Sequence, residues 1–468
     1  MINIRAAFNF LQIHVKLIIM NKNSTPWFAD AVIYHIYALS LAKSPEENSP
    51  PFNNDYEMRR NTAAEIEEWI PHIKGMGFNT VLFSPVLKSK SHGYDVTDYF
   101  EIDNRIGTND QFKALIKKFH ENGIKIILDC VFNHCGRDFF AFKKLQEQDL
   151  NFADWFSGVD FSKKSPMGDC FTYDTWSGHF KLPKFNLKNP VVKEYLLNAA
   201  RFWIDTFDID GMRLDAADVL DNKFMIDLRS ATEEKKKDFW LMGEVVHGDY
   251  SKLVNGRCLH SVTNYILYTS LISSHNKNNL FELAHCLDIS VPENGLPLFS
   301  FLDNHDQNRI ASNVVNPDHL ITLYALLFTL PGIPSVYYGS EWGVKGVKEK
   351  YTDNPLRPYI DIDRRGEFDT PLTGYINRLI SLRQSEKALK YGSYKKVYLE
   401  YKRPFIFKRC YEKERIIIAV NICGSDDYID LNAHCSEELT DLLDGGSFYP
   451  QYYKIKAHSV LILKETNN

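Results

Sequence analysis

The chain has 468 residues, of which 44% are hydrophobic and 13% aromatic, enough for a large core and for more than one domain. Its 55 basic residues stand against 60 acidic ones, which gives a formal net charge of -5. This balance provides no basic surface for nucleic acid or for an anionic membrane, so neither is expected as a partner.

The first predicted segment is a leader over residues 1–26. A basic residue precedes an apolar run, as in a signal peptide, but His14 and Lys16 interrupt the run and no small-residue cleavage site follows it. The run is too short and too broken to cross a membrane. We therefore predict a disordered leader, or translation from Met20, in preference to secretion.

From about residue 30, β-rich runs alternate with amphipathic helical stretches, which is typical of βα units around a parallel sheet. Eight runs are predicted as strands: AVIYHIYAL, NTVLFSPV, IKIILDCVF, DIDGMRLDA, FWLMGEVV, SVTNYILY, PLFSFLDN and IPSVYYG. Helical stretches such as DQFKALIKKFHENG lie between the early ones, and glycines in GMG, ENG and LPG predict helix ends. This pattern predicts an α/β protein with a (β/α)8 TIM barrel.

Two departures from this rhythm predict further domains. About fifty irregular residues follow the third strand, too many for an ordinary loop, and predict a small inserted subdomain over residues 135–187. After about residue 390, short strand-like runs separated by turn residues predict a C-terminal antiparallel β-sandwich domain over 389–468. The barrel is then formed by residues 27–134 and 188–388.

The eight cysteines are scattered along the chain without a CxxC pair or a dense framework. Cysteine patterns that form disulfide scaffolds belong to short secreted domains, unlike this chain. Free thiols in a reducing compartment are therefore expected, which favours a cytoplasmic protein.

Charged and polar residues follow four of the predicted strands, where barrel enzymes carry their reactive groups. They are Asp129, Asn133 and His134 after the third strand, Arg213 and Asp215 with the fourth, Glu244 after the fifth, and Asp303, His305 and Asp306 after the seventh. A buried carboxylate is unstable unless it is paired and hydrogen-bonded. Their joint occurrence at strand ends therefore indicates a reactive site at one end of the barrel.

Two kinds of reaction suit convergent carboxylates. In glycoside cleavage one carboxylate attacks the anomeric carbon, and a second, protonated carboxyl group protonates the leaving oxygen. In a metal centre, Asp, Glu and His would hold Mg²⁺, Mn²⁺ or Zn²⁺ for hydrolysis or enolisation. Arg213 lies two residues before Asp215 on the same strand face, where it would repel a divalent ion but keep Asp215 ionised. The arginine favours sugar chemistry.

The same residues resemble the α-amylase family of glycoside hydrolases over about residues 27–465. DCVFNH, GMRLDAAD, GEVVH and FLDNHDQNR are similar to four motifs of that family and occur in its order. LPKFNL at 182–187 resembles a motif of the cyclomaltodextrinase and neopullulanase subgroup, and SHGYDVTDY at 91–99 resembles the family's tyrosine loop.

The resemblance implies a role for each matching residue. Asp215 would be the nucleophile, Glu244 the general acid and base, and Asp306 the group that stabilises the transition state. Arg213 would orient Asp215, His134 and His305 would donate or accept hydrogen bonds to the sugar, and Tyr94 would form a stacking platform beneath it. Asp95 is expected either to pair with Arg357 and close the non-reducing end of the cleft, or to cap its own loop. Asp129 is expected to be a structural partner of Arg213. A retaining mechanism would place the nucleophile and acid carboxyls about 5–5.5 Å apart.

Cofactor requirements differ within the family. No cofactor is required by the predicted reaction, and Ca²⁺ is an optional addition for which Asn133 is the one candidate ligand. Many α-amylases have lysine and histidine after the nucleophile motif, where this chain has Asp218 and Val219. The starch-binding N-terminal domain of the cyclomaltodextrinase subgroup is not expected, so the sequence does not predict an oligomeric state.

We predict a retaining α-glycoside hydrolase that cleaves α-1,4-glucosidic bonds of maltodextrins or maltooligosaccharides. Within the same chemistry, an exo-acting α-glucosidase or a 4-α-glucanotransferase is the alternative, because water and an acceptor sugar compete for one covalent intermediate. Outside it, the alternatives are a non-catalytic glycan-binding barrel and a metal-dependent barrel hydrolase.

Overall fold

The computed structural model describes residues 25–41, 44–48, 62–290, 298–433, 435, 438–449 and 452–465. At its centre, eight parallel strands form a barrel. The strands are β1 (Ile33–Ile36), β2 (Thr80–Phe83), β3 (Lys125–Cys130), β4 (Gly211–Leu214), β5 (Trp240–Gly243), β6 (Ser261–Val262), β7 (Phe299–Phe301) and β8 (Ile333–Tyr337). The predicted TIM barrel is confirmed.

The barrel closes because β1 pairs with both β2 and β8, and because Thr263 at the end of β6 bridges Phe299 of β7. The run SVTNYILY, predicted as the sixth strand, is a strand only at Ser261–Val262. Asn264 then accepts a hydrogen bond from the Leu267 backbone N–H and caps a helix. A side-chain cap at this position ends the strand earlier than the β-rich composition predicts.

Helices surround the strands. Those of the barrel and its loops are α1 (Ala38–Leu41), α2 (Thr62–Glu67), α3 (Ile70–Met76), α4 (Asn109–Glu121), α5 (Phe140–Gln146), α6 (Pro190–Phe207), α7 (Asn222–Lys235), α8 (Tyr265–Asn276), α9 (Phe281–Ser290), α10 (Ile310–Asn313), α11 (His319–Thr329), α12 (Pro371–Ser385) and α13 (Lys387–Tyr391). Gly77 ends α3 with a φ of 91°, a conformation that favours glycine, as the GMG pattern predicts.

Helix α4 shows why these segments pack as they do. Phe112, Leu115, Ile116 and Phe119 recur at intervals of three or four residues and are all buried against the sheet. Thr108 begins the helix with a capping box that also involves the third residue of the helix. The apolar stripe and the cap together fix the position of α4 on the barrel.

Strand β4 carries charges of two kinds, one at each of its ends. Asp210 lies just before the strand and pairs with Lys125 at 3.0 Å, Lys236 at 3.1 Å and His120 at 2.9 Å. Although burial raises it, these partners hold the pKa of Asp210 well below its usual range. Asp210 therefore joins β4 to its neighbours at the end of the barrel opposite to the predicted site.

An irregular segment follows β3, where the inserted subdomain is predicted. It contains α5 and a two-stranded hairpin, Thr175–Trp176 with His179–Pro183. Its return strand bridges back to the end of β3, with His134 opposite Lys184, and Phe156 pairs with Phe185 inside the segment. These pairings lie within or at the edge of residues 135–187, and the bounds of the subdomain stay a prediction.

The C-terminal region is an antiparallel β-domain, as predicted. Its strands are β9 (Ser393–Tyr398), β10 (Phe405–Tyr411), β11 (Glu414–Asn421), β12 (Asp427–Asp430), β13 (Leu439–Asp441), β14 (Ser447–Phe448), β15 (Tyr452–Ile455) and β16 (Ser459–Glu465). Six of them form one sheet in the order β9-β10-β11-β16-β13-β14, and β12 pairs with β15. Apolar residues of this ribbon and of the sheet share one core.

One buried arginine, Arg409 of β10, joins the C-terminal domain to the barrel by donating to the carbonyl of Thr329. Arg383 of α12, within the barrel domain, donates to the adjacent carbonyls of Phe328 and Leu330 at 3.0 Å each. These carbonyls lie at the C-terminal end of α11, the negative end of its dipole. Burial lowers the pKa of the Arg409 guanidinium. The junction thus depends on a buried arginine that is satisfied by a backbone oxygen of the barrel.

Three predictions from the sequence concern the chain as a whole. All eight cysteines are free thiols. Among the described residues, no helix is long and apolar enough to cross a membrane. The predicted leader lies, up to residue 24, outside the described residues.

We expect Arg409→Met to lower the free energy of unfolding by about 2–4 kcal/mol, because it leaves buried carbonyls without a donor. The measurement is urea unfolding followed by circular dichroism. The matched control is Arg403→Met, which removes a half-exposed ion pair with Asp427 and should change stability by less than about 1 kcal/mol. Equal losses in both variants would contradict the junction role.

Candidate active site

The buried Arg213 guanidinium is the centre of the site. Its Nη1 lies 2.7 Å from both carboxylate oxygens of Asp129 and 3.3 Å from Oδ1 of Asp215. Its Nη2 lies 2.7 Å from Oε1 of Glu244. The predicted pair between Asp129 and Arg213 is confirmed, and one arginine joins carboxylates from three neighbouring strands.

Strand register produces this convergence. Asp129 of β3 is the register partner of Arg213 of β4, and Met242 of β5 is its partner on the other side. Met212 and Leu214 alternate with Arg213 and are fully buried in the apolar core. The polar face of β4 is therefore directed into the barrel, at the carboxyl end of the strands where barrel active sites lie.

Glu244 is held by the chain that follows Asp215. Ala216 adopts a left-handed conformation, with φ of 47°, which is unusual for a residue with a side chain. This turn directs the Ala216 N–H to Oε2 of Glu244 at 3.2 Å and the Ala217 N–H to its carbonyl at 2.9 Å. The Tyr265 hydroxyl donates to Oε1 at 3.3 Å. Local backbone strain thus couples the two carboxylates, as is common at functional sites.

The charges of these groups are interdependent. Burial and the adjacent Glu244 carboxylate raise the pKa of Asp215 well above its usual range, although Arg213 lowers it. Burial likewise raises the pKa of Asp129. Three carboxyl groups surround one guanidinium, so their negative charge exceeds its positive charge when all are ionised, and this excess favours the protonated form of Asp215.

Asp306 lies on the other side of the mouth, in a strongly cationic setting. Its Oδ2 is 2.9 Å from His305 Nε2, and its Oδ1 is 3.0 Å from Arg357 Nη2. Although burial raises it, His305 and Arg357 hold the pKa of Asp306 below its usual range. Asp306 is therefore ionised at neutral pH.

Aromatic and imidazole rings form the floor between these groups. Tyr94 stacks on His305 with centroids 5.4 Å apart, and its hydroxyl donates to Oδ2 of Asp129 at 3.0 Å. Burial lowers the pKa of His134 to about 3, so this ring is neutral. His134 Nε2 and His305 Nδ1 are buried and have no hydrogen-bond partner among the described residues. Unpartnered buried nitrogens are uncommon and indicate a place for ligand hydroxyls.

Of the two predictions for Asp95, the structure shows the loop cap and not the pair with Arg357. Asp95 accepts hydrogen bonds from the backbone N–H and the hydroxyl of Ser91, at 3.0 and 2.6 Å, and so caps its own loop. Arg357 instead bridges Asp306 and Asp353 at 3.0 Å each. Hydrogen bonds from its own loop satisfy the Asp95 carboxylate, so it needs no pair with a distant cation. Such local bonding is common for aspartate in turns.

Asp303 was expected to converge with the other carboxylates but has a structural role. It accepts hydrogen bonds from the Ile310 N–H at 2.8 Å and from the Ser340 hydroxyl at 2.7 Å. It therefore fixes the start of α10 beside β8. Its neighbours in sequence, His305 and Asp306, are the groups that belong to the site.

Two aromatic residues and one histidine of the site were missed in the sequence. His35 of β1 is buried, bonds Ser84 Oγ at 2.9 Å and places its ring 5.4 Å from that of His305. The Tyr37 hydroxyl accepts from Arg357 at 3.1 Å, and the Tyr265 hydroxyl contacts Glu244. Strand alternation in YHIY could have indicated His35, whereas Tyr265 reaches the mouth only through the unexpected start of α8.

The described residues do not fit a calcium site. Oδ1 of Asn133 is buried without a hydrogen-bond partner, which alone would suit a cation. However, within the described part of the chain no group of three or more His, Cys, Asp or Glu side chains could hold a metal ion. A hard cation such as Ca²⁺ takes about six to eight oxygen ligands. The side-chain oxygen of Asn133 is therefore a candidate ligand without an acidic cluster beside it among the described residues.

The barrel and its convergent, unlike carboxylates define a glycoside hydrolase. The family described as alpha amylase, catalytic domain, matches residues 52–369. This chain belongs to the α-amylase family.

Similar proteins agree with the subgroup that the motifs indicated. A cyclomaltodextrinase from Thermoanaerobacter pseudethanolicus is 30% identical over 428 residues, which cover 87% of this chain and 72% of that protein. An intracellular maltogenic amylase from Bacillus subtilis is 28% identical over 453 residues, covering 91% of this chain and 74% of that protein. A solved structure of a cyclomaltodextrinase matches with a TM-score of 0.82 and 26% identity, over 95% of this chain and 79% of the other.

We expect Asp215→Asn and Glu244→Gln each to lower turnover at least about a thousandfold, because each removes a group that acts on the bond being broken. Neither substitution changes side-chain volume much, so circular dichroism and the melting temperature should stay near those of the unmodified protein. Glu233→Gln, an exposed change on α7, is the control. Near-normal turnover in either variant would show that the assigned role is wrong.

The pH profile tests the ionisation of Asp215. The Asp129 carboxylate raises the pKa of Asp215, so Asp129→Asn should lower it and allow Asp215 to ionise at lower pH. Because Asp215 attacks as a carboxylate, we expect the acid limb of kcat/KM to move down by about one pH unit. The exposed substitution Asp110→Asn should leave the limb in place. An upward shift in Asp129→Asn would contradict this electrostatic picture.

Proposed function

We propose that the protein is a retaining hydrolase of α-1,4-glucosidic bonds in maltodextrins and maltooligosaccharides. The observation that carries the proposal is the contact of one guanidinium, Arg213, with the carboxylates of both Asp215 and Glu244. A retaining mechanism needs carboxyl groups about 5–5.5 Å apart, and a shared guanidinium is compatible with that spacing.

Asp215 and Glu244 have different roles in the two steps of the reaction. The Asp215 carboxylate attacks the anomeric carbon while the Glu244 carboxyl group gives its proton to the glycosidic oxygen, which leaves with the rest of the glucan. Glu244, now ionised, removes a proton from water, and the resulting hydroxide attacks the same carbon and releases Asp215. The reaction needs water and no cofactor.

The surrounding residues bind the sugar and stabilise its charge. Arg213 orients Asp215 and offsets the negative charge of the mouth. Asp306 stabilises the transition state through the sugar hydroxyls. His134 and His305 offer unpartnered ring nitrogens to those hydroxyls, and the Tyr94 ring lies beneath the reacting sugar.

The substrate and the compartment are proposed from the relatives. The cyclomaltodextrinase and maltogenic amylase names refer to α-1,4-linked glucans, and one relative is described as intracellular. Eight free thiols are compatible with a reducing compartment. We therefore place the substrate, a maltodextrin or a maltooligosaccharide, in the cytoplasm.

The test is incubation of the purified protein with maltoheptaose, with product sizes and anomeric form followed by NMR. Release of short α-anomeric maltooligosaccharides is the expected result, because two inversions at one carbon retain its configuration. Asp215→Asn is the control for contaminating activity. Initial release of β-anomers, or no cleavage by a folded protein, would contradict the proposal, and longer products than the substrate would show transfer in place of hydrolysis.

A further inference from the structure

Three histidines are in contact where the C-terminal domain meets the barrel. His275 of α8 and His319 at the start of α11 belong to the barrel, and their ring centroids are 5.3 Å apart. His458 lies in the turn before β16 of the C-terminal domain, and its ring centroid is 5.1 Å from that of His319. These three residues, which we call the histidine row, therefore cross the junction between the two domains.

His319 is bonded to the C-terminal domain as a neutral ring. Its Nε2 lies 3.0 Å from the carbonyl oxygen of Ile422, so Nε2 carries the proton and donates it. Its Nδ1 is buried and has no hydrogen-bond partner within the described part of the chain. A second proton would create a buried N–H group without an acceptor, at the positive end of the α11 dipole. Both effects favour the neutral imidazole.

The hydrogen bond of His458 across the junction also needs an unprotonated nitrogen. Oδ1 of Asn316, in the barrel loop before α11, accepts the Asp318 N–H at 3.1 Å, which fixes the orientation of the Asn316 amide. Its Nδ2 therefore donates to Nε2 of His458, at 3.2 Å. A proton on Nε2 would place two donors against each other, so protonation of His458 would break this bond between the domains.

The surroundings of the histidine row disfavour positive charge. Burial lowers the pKa of His275 to about 3. Burial and the neighbouring His458 lower the pKa of His319, although a backbone carbonyl and the Asp318 carboxylate raise it. Cys423, whose carbonyl accepts the His458 N–H, provides no anion, because burial raises the pKa of its thiol.

These shifts determine how the stability of the junction depends on pH. An unfolded histidine has a pKa near 6.5, above the lowered values of His275 and His319 in the folded protein. The unfolded chain therefore binds more protons than the folded one below about pH 6.5. The contribution of the two rings to stability is complete above that pH and is lost as the pH falls toward the folded values.

The histidine row also borders the segment that follows the active site. From Asp306 the chain continues through α10, which ends at Asn313, and then reaches the loop before α11. Asn276, next to His275 in α8, holds this loop: it donates to the Asn313 carbonyl and accepts the Val315 N–H, both at 2.9 Å. Hydrogen bonds thus join the junction to the chain that carries Asp306.

We propose that the histidine row is a pH-sensitive device, which keeps the C-terminal domain closed on the barrel while its rings are neutral and loosens the junction when they are protonated. In the neutral state two hydrogen bonds cross the junction, from His319 to Ile422 and from Asn316 to His458. Protonation breaks the second bond and places like charges on adjacent rings. The inference does not depend on the proposed function.

The cysteines and tryptophans of the chain provide separate probes of the junction and the barrel. Cys423 is buried beside His458, so its thiol becomes reactive when the junction opens. Cys170 is an exposed thiol of the inserted subdomain and serves as an internal reference. All seven tryptophans lie at or before Trp342, so their fluorescence reports on the barrel and not on the C-terminal domain.

The test is the labelling rate of Cys423 relative to Cys170 with dithiodipyridine, followed by mass spectrometry. Between about pH 7.5 and about pH 5 we expect this ratio to rise about tenfold, because opening of the junction takes up protons. Tryptophan fluorescence should stay constant. The control is His285→Gln, which removes an exposed histidine of α9 and should show the same rise as the unmodified protein.

Two variants distinguish this device from a general sensitivity to acid. Asn316→Asp keeps the acceptor for the Asp318 N–H and gives protonated His458 a carboxylate partner, so the rise should fall to about threefold or less. His319→Gln keeps a donor for Ile422 but cannot be protonated, and should have the same effect.

Three results would overturn the proposal. The first is a labelling ratio that does not change with pH in the unmodified protein. The second is a full tenfold rise in either Asn316→Asp or His319→Gln. The third is a loss of tryptophan fluorescence over the same pH range as the labelling, because the barrel would then unfold together with the junction.

Discussion

The structure of the site depends on one buried positive charge. Arg213 is 4% exposed and could not be stable there without anions, which Asp129, Asp215 and Glu244 provide from three adjacent strands. These anions are neighbours only when the strands pair in the observed register. The closed barrel and the ion cluster therefore require each other: the fold assembles the charges, and the excess of carboxylates raises the pKa of Asp215.

Strand β4 shows how one short segment separates stability from chemistry. Asp210, before the strand, pairs with lysines of neighbouring elements and joins the strands at the end of the barrel opposite to the site. Asp215, after the strand, has one long side-chain contact among the described residues, to Arg213, and is followed by the strained Ala216. The first carboxylate is fully paired and the second is not, which is the condition for a group that must react.

Asp95, for which the sequence left a pair with Arg357 and a loop cap as alternatives, shows what motif reasoning cannot decide. The motifs supply residue types and approximate places, but Asp95 found its partners four residues away, at Ser91. Arg357 pairs instead with Asp306 and Asp353. Short-range hydrogen bonds in a loop need little additional ordering of the chain, so they form in preference to a distant ion pair.

The sequence alone determined the barrel, the order of its strands and most of the residues at its mouth, because strand alternation and strand ends are local properties of the chain. It also indicated that Asp129 would pair with Arg213. Only the tertiary structure decided that Asp303 has a structural role outside the site and that His35 and Tyr265 join the site. Those outcomes depend on contacts between segments far apart in the chain, which a local pattern cannot specify.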